Sequence, residues 1–409
     1  MLATAKRLGY AGPDPVARSL RTRKAGAVGL VMAEPLTYFF SDPAARDFVA
    51  GVAQSCEELG QGLQLVSVGS SRSLADGTAA VLGAGVDGFV VYSVGDDDPY
   101  LQVVLQRRLP VVVVDQPKDL SGVSRVGIDD RAAMRELAGY VLGLGHRELG
   151  LLTMRLGLDR RQDLVDAERL RSPTFDVQRE RIVGVWEAMT AAGVDPDSLT
   201  VVESYEHLPT SGGTAAKVAL QANPRLTALM CTADILALSA MDYLRAHGIY
   251  VPGQMTVTGF DGVPEALSRG LTTVAQPSLH KGHRAGELLL KPPRSACARG
   301  ARYRAGPGPH RGSAGVSLLG AVLIADQQPH GQVQPLADVG SRGSSGKPRE
   351  QVRQPHVRDH PRYVVLVLGW FAVGHCTREH TVDELFDLVD LAGRRGVGEH
   401  VGTCHGLGE

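Results

Sequence analysis

Aromatic residues make up only 5% of the 409-residue chain, and there are five cysteines. The cysteines are widely scattered, which excludes the dense disulfide framework of a small oxidised domain. Forty-three Lys and Arg face forty-four Asp and Glu, so net charge of neither sign points to a nucleic-acid coat or a membrane surface. Any such partner must be met by a local patch. The longest late apolar run, Tyr363 to Gly374, is shorter than the roughly 20 residues a membrane-spanning helix needs. Met1 leads into a short amphipathic stretch rather than an apolar run before a small-residue cleavage site, so no secretory leader is expected. Neither a G-x-S-x-G elbow nor an H-E-x-x-H pair occurs before Leu290. The expectation is a soluble cytoplasmic protein with no membrane partner, no cofactor and no enzymatic activity.

The first segment, MLATAKRLGYAGPDPVARSLRTRKAG, does carry a local charge. Lys6, Arg7, Arg18, Arg21, Arg23 and Lys24 face a single acid, Asp14. A short helix is expected from Leu2 to Leu8, stopped by Gly9. Asp14 suits an N-cap and Pro15 a first helical position, so a second helix should run from Pro15 to about Leu20. It is too short to be stable alone in water. The bland alternative is a solvated basic tail.

From Ala27 the pattern changes. The apolar runs AVGLVM, LQLVSVG, VDGFVVYSV, PVVVVD, RVGI and LGLLT alternate with helical stretches at 44–59, 74–82 and 131–144. Near-continuous Val and Leu runs mean strands covered on both faces, hence parallel strands with helical crossovers. After an irregular, charged stretch (155–173) the rhythm restarts, with helices at 177–192, 213–222 and 235–247 between strands LTVVES, ALMCT and TVTGF. The expected fold is α/β: two doubly wound parallel-sheet lobes behind a short α-helical N-terminal segment. Four regions follow: 1–24 (the basic helices), 25–154 with 277–290 (first lobe), 155–276 (second lobe) and 291–409. The last loses the pattern, with five Arg, six Gly and four Pro among residues 291–320 and eight of the thirteen histidines beyond Leu290. An out-of-frame reading would produce such a change; a real basic tail is the alternative. Only 363–373 looks like a strand there, and 382–391 like a helix.

Ligands of open α/β sheets bind outside the carboxyl ends of the strands. Asp115, Asp129 and Asp261 each stand at such an end. A carboxylate there can accept paired hydrogen bonds from hydroxyls, or it can cap the next helix. Arg181, early in its helix, can donate a planar fork. Tyr38, Phe39 and Phe40 follow the first strand and suit either a ligand platform or local core packing. Gly83, Gly85 and Gly88 spell G-x-G-x-x-G, but follow a helix and precede a strand, the reverse of a dinucleotide loop. Ser211-Gly212-Gly213 with Lys217 lacks the spacing of a phosphate loop and reads as a helix start. Cys376, His380, His400, Cys404 and His405 have spacings that could suit zinc, but lie in the patternless region, so no metal is expected.

Several segments together resemble the LacI/GalR repressor family. AGPDPVARSLRTRKAGAVGLVM is similar to the family's hinge running into its first core strand. Gly145-His146 with LGLLT, QRERIVGVWEAM, TADILALSAMDYLRAHGIYVPGQMTVTGFDG and LTTVAQPSLHKGHRAGELLL are similar to its core, in order, over roughly residues 1–290. The resemblance implies a homodimeric regulator that grips operator DNA and senses a small effector, in the terms of that family a sugar. It implies that Leu20 is the minor-groove wedge, with Ala17 beside it and Arg18 and Arg21 near phosphates. It implies effector contacts from Arg181, Asp261, Asp234 and Asp129, and from Phe39, Phe40 and His207. Residues 1–10 resemble only the third helix of the family's DNA-reading module, so major-groove readout is not expected from these residues. The rival readings are a sugar-binding protein without DNA and an inactive remnant of the repressor. Removal of Arg181 is expected to abolish the ligand response and spare the fold.

Overall fold

The computed structural model describes residues 21–22, 24–69, 73–118 and 120–291, with the backbone of four further strands between 315 and 376. Ala17, Arg18 and Leu20, with both expected N-terminal helices, lie outside the described residues. Arg21 lies inside them, helical and exposed.

The chain forms two compact units. The first holds Met1–Ser41, Arg46–Val126 and Lys281–Val316. Its sheet contains β1 (Ala27–Met32), β2 (Gly62–Ser67), β3 (Gly88–Tyr92), β4 (Val111–Val114) and β5 (Ser124–Gly127), with β11 (Gly315–Ser317) beside β5. Strands β1 to β5 pair in parallel, with β2 at the far edge. The helices are α1 (Tyr38–Ser41), α2 (Pro43–Glu58), α3 (Leu74–Gly83) and α4 (Pro99–Gln106). Alternation along the strands sends Val31, Val66, Phe89, Val91 and Val113 to one face, where Val81, Leu101 and Val104 of α3 and α4 cover them. Helix α11 (Ser278–Leu290) lies against α2. A Cβ on Gly282 would fall 2.0 Å from the Phe48 carbonyl oxygen, and one on Gly286 1.7 Å from Ser55 Oγ. Only glycine permits that approach.

The second unit holds Asp42–Ala45, Gly127–His280 and Ser317–Glu409. Its strands are β6 (Leu149–Met154), β7 (Thr200–Ser204), β8 (Ala228–Cys231), β9 (Thr256–Asp261) and β10 (Thr272–Ala275), all paired in parallel. Its helices are α5 (Asp130–Gly143), α6 (Ala167–Arg171), α7 (Asp176–Ala191), α8 (Ser211–Ala222), α9 (Asp234–Ala246) and α10 (Pro264–Ser268). Successive strand residues part company. Leu151, Val201 and Met230 face α5 and α7, whereas Leu152, Val202 and Leu229 face α8 and α9. The doubly wound, two-lobed architecture is therefore present.

The lobe boundary expected at 154 is corrected to 126. Strand β6 pairs with β7 and β8, and the Leu137 and Val141 face of α5 packs with Ile182 and Val185 of α7, so both elements belong to the second unit. The return to the first unit comes at Lys281 rather than 277.

Beyond 291, β11 is a strand although 291–320 shows no strand pattern. The expected strand at 363–373 is two strands, β13 (Tyr363–Val367) and β14 (Trp370–Cys376). With β12 (Ala321–Ala325) they extend the second sheet antiparallel from β10, in the order β14-β13-β12-β10-β9-β8-β6-β7. The expected helix at 382–391 and the histidines and cysteine of the zinc spacing other than Cys376 lie outside the described residues. Among the described residues no helix is long and apolar enough to cross a membrane.

Candidate functional site

The carboxyl ends of β8, β9 and β10 bring a polar cluster together inside the second unit. Arg181 sits on the second turn of α7, 4% exposed. Its Nε and Nη2 donate to Asp130 Oδ1 at 2.9 and 2.8 Å, and Nη1 donates to the Thr232 carbonyl at 2.5 Å. Three of the guanidinium's five N–H groups are engaged in this way. The guanidinium carbon lies 3.6 Å from the centroid of the Phe260 ring, a cation–π contact on the residue before Asp261.

Asp234 opens α9 and is fully buried. Its Oδ1 accepts from the Thr273 hydroxyl at 2.6 Å and its Oδ2 from the Val263 N–H at 2.9 Å. Asp261 ends β9, half-buried, with a φ of 135° that a non-glycine residue seldom adopts. Its Oδ1 accepts from Gln276 Nε2 at 2.6 Å, and its Oδ2 receives the Asp234 N–H at 3.3 Å. Asp261 thus caps the positive end of α9 from another strand.

The two carboxylates act on each other. Burial raises both pKa values; for Asp261 the negative charges of Asp234 and Asp42 add to it, and Arg181 opposes it. The pair is held above the usual carboxylate range and titrates as one system. Phe260 is fully buried beneath the guanidinium, so what this cluster can offer a hydroxyl-rich partner is the half-buried Asp261 carboxylate and the Arg181 N–H groups not engaged above.

The remaining expected site residues make other contacts. Asp129 is exposed and caps α5, accepting from the Ala132 N–H at 3.0 Å; the neighbouring Asp130 is the one that meets Arg181. Phe39 is 1% exposed and packs edge-on against Tyr38 and Tyr92 at 5.2 and 5.7 Å, within the first unit's core. Phe40, beside it, is 67% exposed. His207 follows β7; burial and then the charge of Arg155 push its pKa down to about 3, so it is neutral. Arg155 itself lies over Phe175 and Tyr205, at 5.0 and 5.7 Å from their ring centres. Asp115, in the first unit, is engaged by the buried Lys281 ammonium at 2.8 Å. Gly212 has no room for a phosphate: a Cβ there would lie 1.9 Å from the Leu236 carbonyl oxygen. Gly83 ends α3 and Gly88 opens β3, the helix-to-strand order noted in the sequence.

Sequence reasoning missed Asp130, Thr273 and Gln276. The signal for Asp130 was the Asp129-Asp130 pair itself, since one side chain caps a helix and the other is left for a partner. Gln276 also stands just past a strand end, the position that singled out Asp261.

The periplasmic binding protein-like domain family matches residues 138–299. An HTH-type transcriptional regulator of Mycobacterium tuberculosis is 99% identical over 295 residues, which is 72% of this chain and 82% of that protein. A solved LacI-family transcriptional regulator from Corynebacterium glutamicum is 37% identical, with a TM-score of 0.62 over 71% of this chain and 82% of that one. The chain belongs to the LacI/GalR family of transcriptional regulators. A solved CelR–cellobiose complex shares the fold at 24% identity and a TM-score of 0.56, covering 70% of this chain and 87% of that one. In this LacI/GalR chain Asp234, Asp261 and Arg181 stand at the ends of the second sheet's strands or on the helices that follow them, and Asp130 joins them from the start of α5, the helix that precedes β6.

Proposed function

We propose that this LacI/GalR regulator binds operator DNA as a cytoplasmic homodimer and changes its DNA affinity when a carbohydrate effector occupies the Arg181–Asp261 cluster. One observation carries the reading: Arg181 rests on the ring of Phe260, next to Asp261, which is itself paired with Asp234. The Asp261 carboxylate and the Arg181 guanidinium offer the acceptors and donors that sugar hydroxyls match. The cellobiose held by a protein of the same fold supports the carbohydrate class. DNA contact falls to the basic segment, with Leu20 as minor-groove wedge, Ala17 beside it, and Arg18 and Arg21 at phosphates. Each ligand acts by its different affinity for two conformations, a coupling of about 1–3 kcal/mol in such switches.

Fluorescence anisotropy with a labelled duplex from upstream of the gene tests the DNA half. Arg18→Ala and Arg21→Ala should each flatten the log–log salt dependence by about one unit of slope. Binding with no salt dependence, or slopes unmoved by both substitutions, overturns this assignment.

A further inference from the structure

We propose that Asp87 fixes the direction in which the basic segment leaves the first lobe, and so holds that segment in the orientation DNA requires. Its functional meaning rests on the DNA-binding reading above; its geometry stands apart from it.

Asp87 lies just before β3, half-buried. Its two carboxylate oxygens are divided between two successive peptides. Oδ1 accepts from the Ala25 N–H at 2.7 Å and Oδ2 from the Gly26 N–H at 2.8 Å, reaching across 62 and 61 residues of sequence. The Asp87 N–H donates to the Ala27 carbonyl at 2.8 Å, and the Gly62 N–H donates to the Gly26 carbonyl at 2.8 Å. Gly26 turns the chain with a φ of 74°. The exposed peptides at 25 and 26 are thus held from both sides immediately before β1.

An exposed lead-in to a domain's first strand ordinarily frays. Here a charged acceptor takes both donors, the stronger class of hydrogen bond. Alanine offers neither acceptor. Asparagine offers one oxygen, and its amide group must face the other peptide N–H, donor against donor. The helical residues Arg21 and Thr22 precede the clamp by only a few residues. Four residues, 23–26, separate them from β1, and the clamp holds two of these.

Two measurements on the full chain decide this. Hydrogen exchange followed by mass spectrometry should show slow exchange at 25 and 26 in the unmodified protein, exchange at least about tenfold faster in Asp87→Ala, and an intermediate rate in Asp87→Asn. A labelled 20-base-pair duplex should bind Asp87→Ala about tenfold more weakly with the salt slope unchanged, because phosphate contacts are kept and only their presentation is lost. Asp87→Asn should fall between, and its circular dichroism should match that of the unmodified protein. Unchanged exchange in both variants overturns the clamp. Faster exchange with unchanged duplex affinity overturns its role in orienting the segment. Failure of the unmodified protein to bind any duplex overturns the DNA-binding reading instead, and exchange then decides on the clamp.

Discussion

Arg181 and Asp130 form a buried ion pair in which two guanidinium N–H groups converge on a single carboxylate oxygen, at 2.9 and 2.8 Å. Both side chains are 5% exposed or less. The residue that the family resemblance assigns to the effector is therefore also a structural tie between α7 and α5.

That tie changes what truncation should do. Arg181→Ala leaves Asp130 charged and buried with the guanidinium gone, a loss on the order of 3–5 kcal/mol. The double variant Arg181→Met with Asp130→Asn removes the stranded charge and should recover most of the loss. Urea denaturation measures both. A cost for Arg181→Ala below about 1 kcal/mol would show that the pair is not desolvated. The expectation that Arg181 can be removed without touching the fold is set aside on this ground.

The Asp234–Asp261 pair should give stability a pH dependence of a definite sign. Burial raises both pKa values in the folded protein above those of the unfolded chain, with the charge of Asp42 adding to both and that of Asp234 adding to Asp261. The folded state then binds more protons than the unfolded one, and stability falls as pH rises from the ordinary carboxylate range through the raised values. The Tm of the unmodified protein should drop more between pH 5 and pH 8 than that of Asp261→Asn, which cannot ionise. Parallel curves for the two proteins contradict the shared titration.

Phe39 and Phe40 separate core from surface within one short helix. Phe39→Ala opens a cavity among aromatic neighbours and should cost about 3–5 kcal/mol. Phe40→Ala should change stability by no more than about 0.5 kcal/mol, as exposed positions usually do. Equal effects in chemical denaturation would mean that α1 is seated differently.

Gly282→Ala tests the contact of α11 with α2. Its Cβ would meet backbone at 2.0 Å, which no side-chain adjustment relieves. The helices must separate, and a Tm fall of several degrees is expected, at the overpacking cost of about 1–3 kcal/mol. An unchanged Tm in a thermal melt would mean that the two helices are not in contact at this position.

The sheet architecture could be read in the sequence because each strand is a dense apolar run and each helix has its own period. The observed helices at Pro43–Glu58, Asp176–Ala191 and Asp234–Ala246 begin and end within a residue or so of the periodic stretches. The lobe boundary was not legible, since α5 and β6 are as apolar as the elements before them and nothing local says which sheet they join. Arg181 and Asp261 could be singled out by position, but their partners could not. Asp130 meets Arg181 across 51 residues and Gln276 meets Asp261 across 15, contacts that strand order creates and local pattern does not encode. The Asp87 contact with 25 and 26 is of the same kind.

Carbohydrate binding at the Arg181–Asp261 cluster is tested most directly by calorimetry, with neutral mono- and disaccharides titrated into the unmodified protein and into Asp261→Ala. The account predicts that a sugar that binds the unmodified protein binds Asp261→Ala at least about a hundredfold more weakly, in line with the loss of charged hydrogen bonds. A sugar that binds both proteins with equal affinity would contradict it.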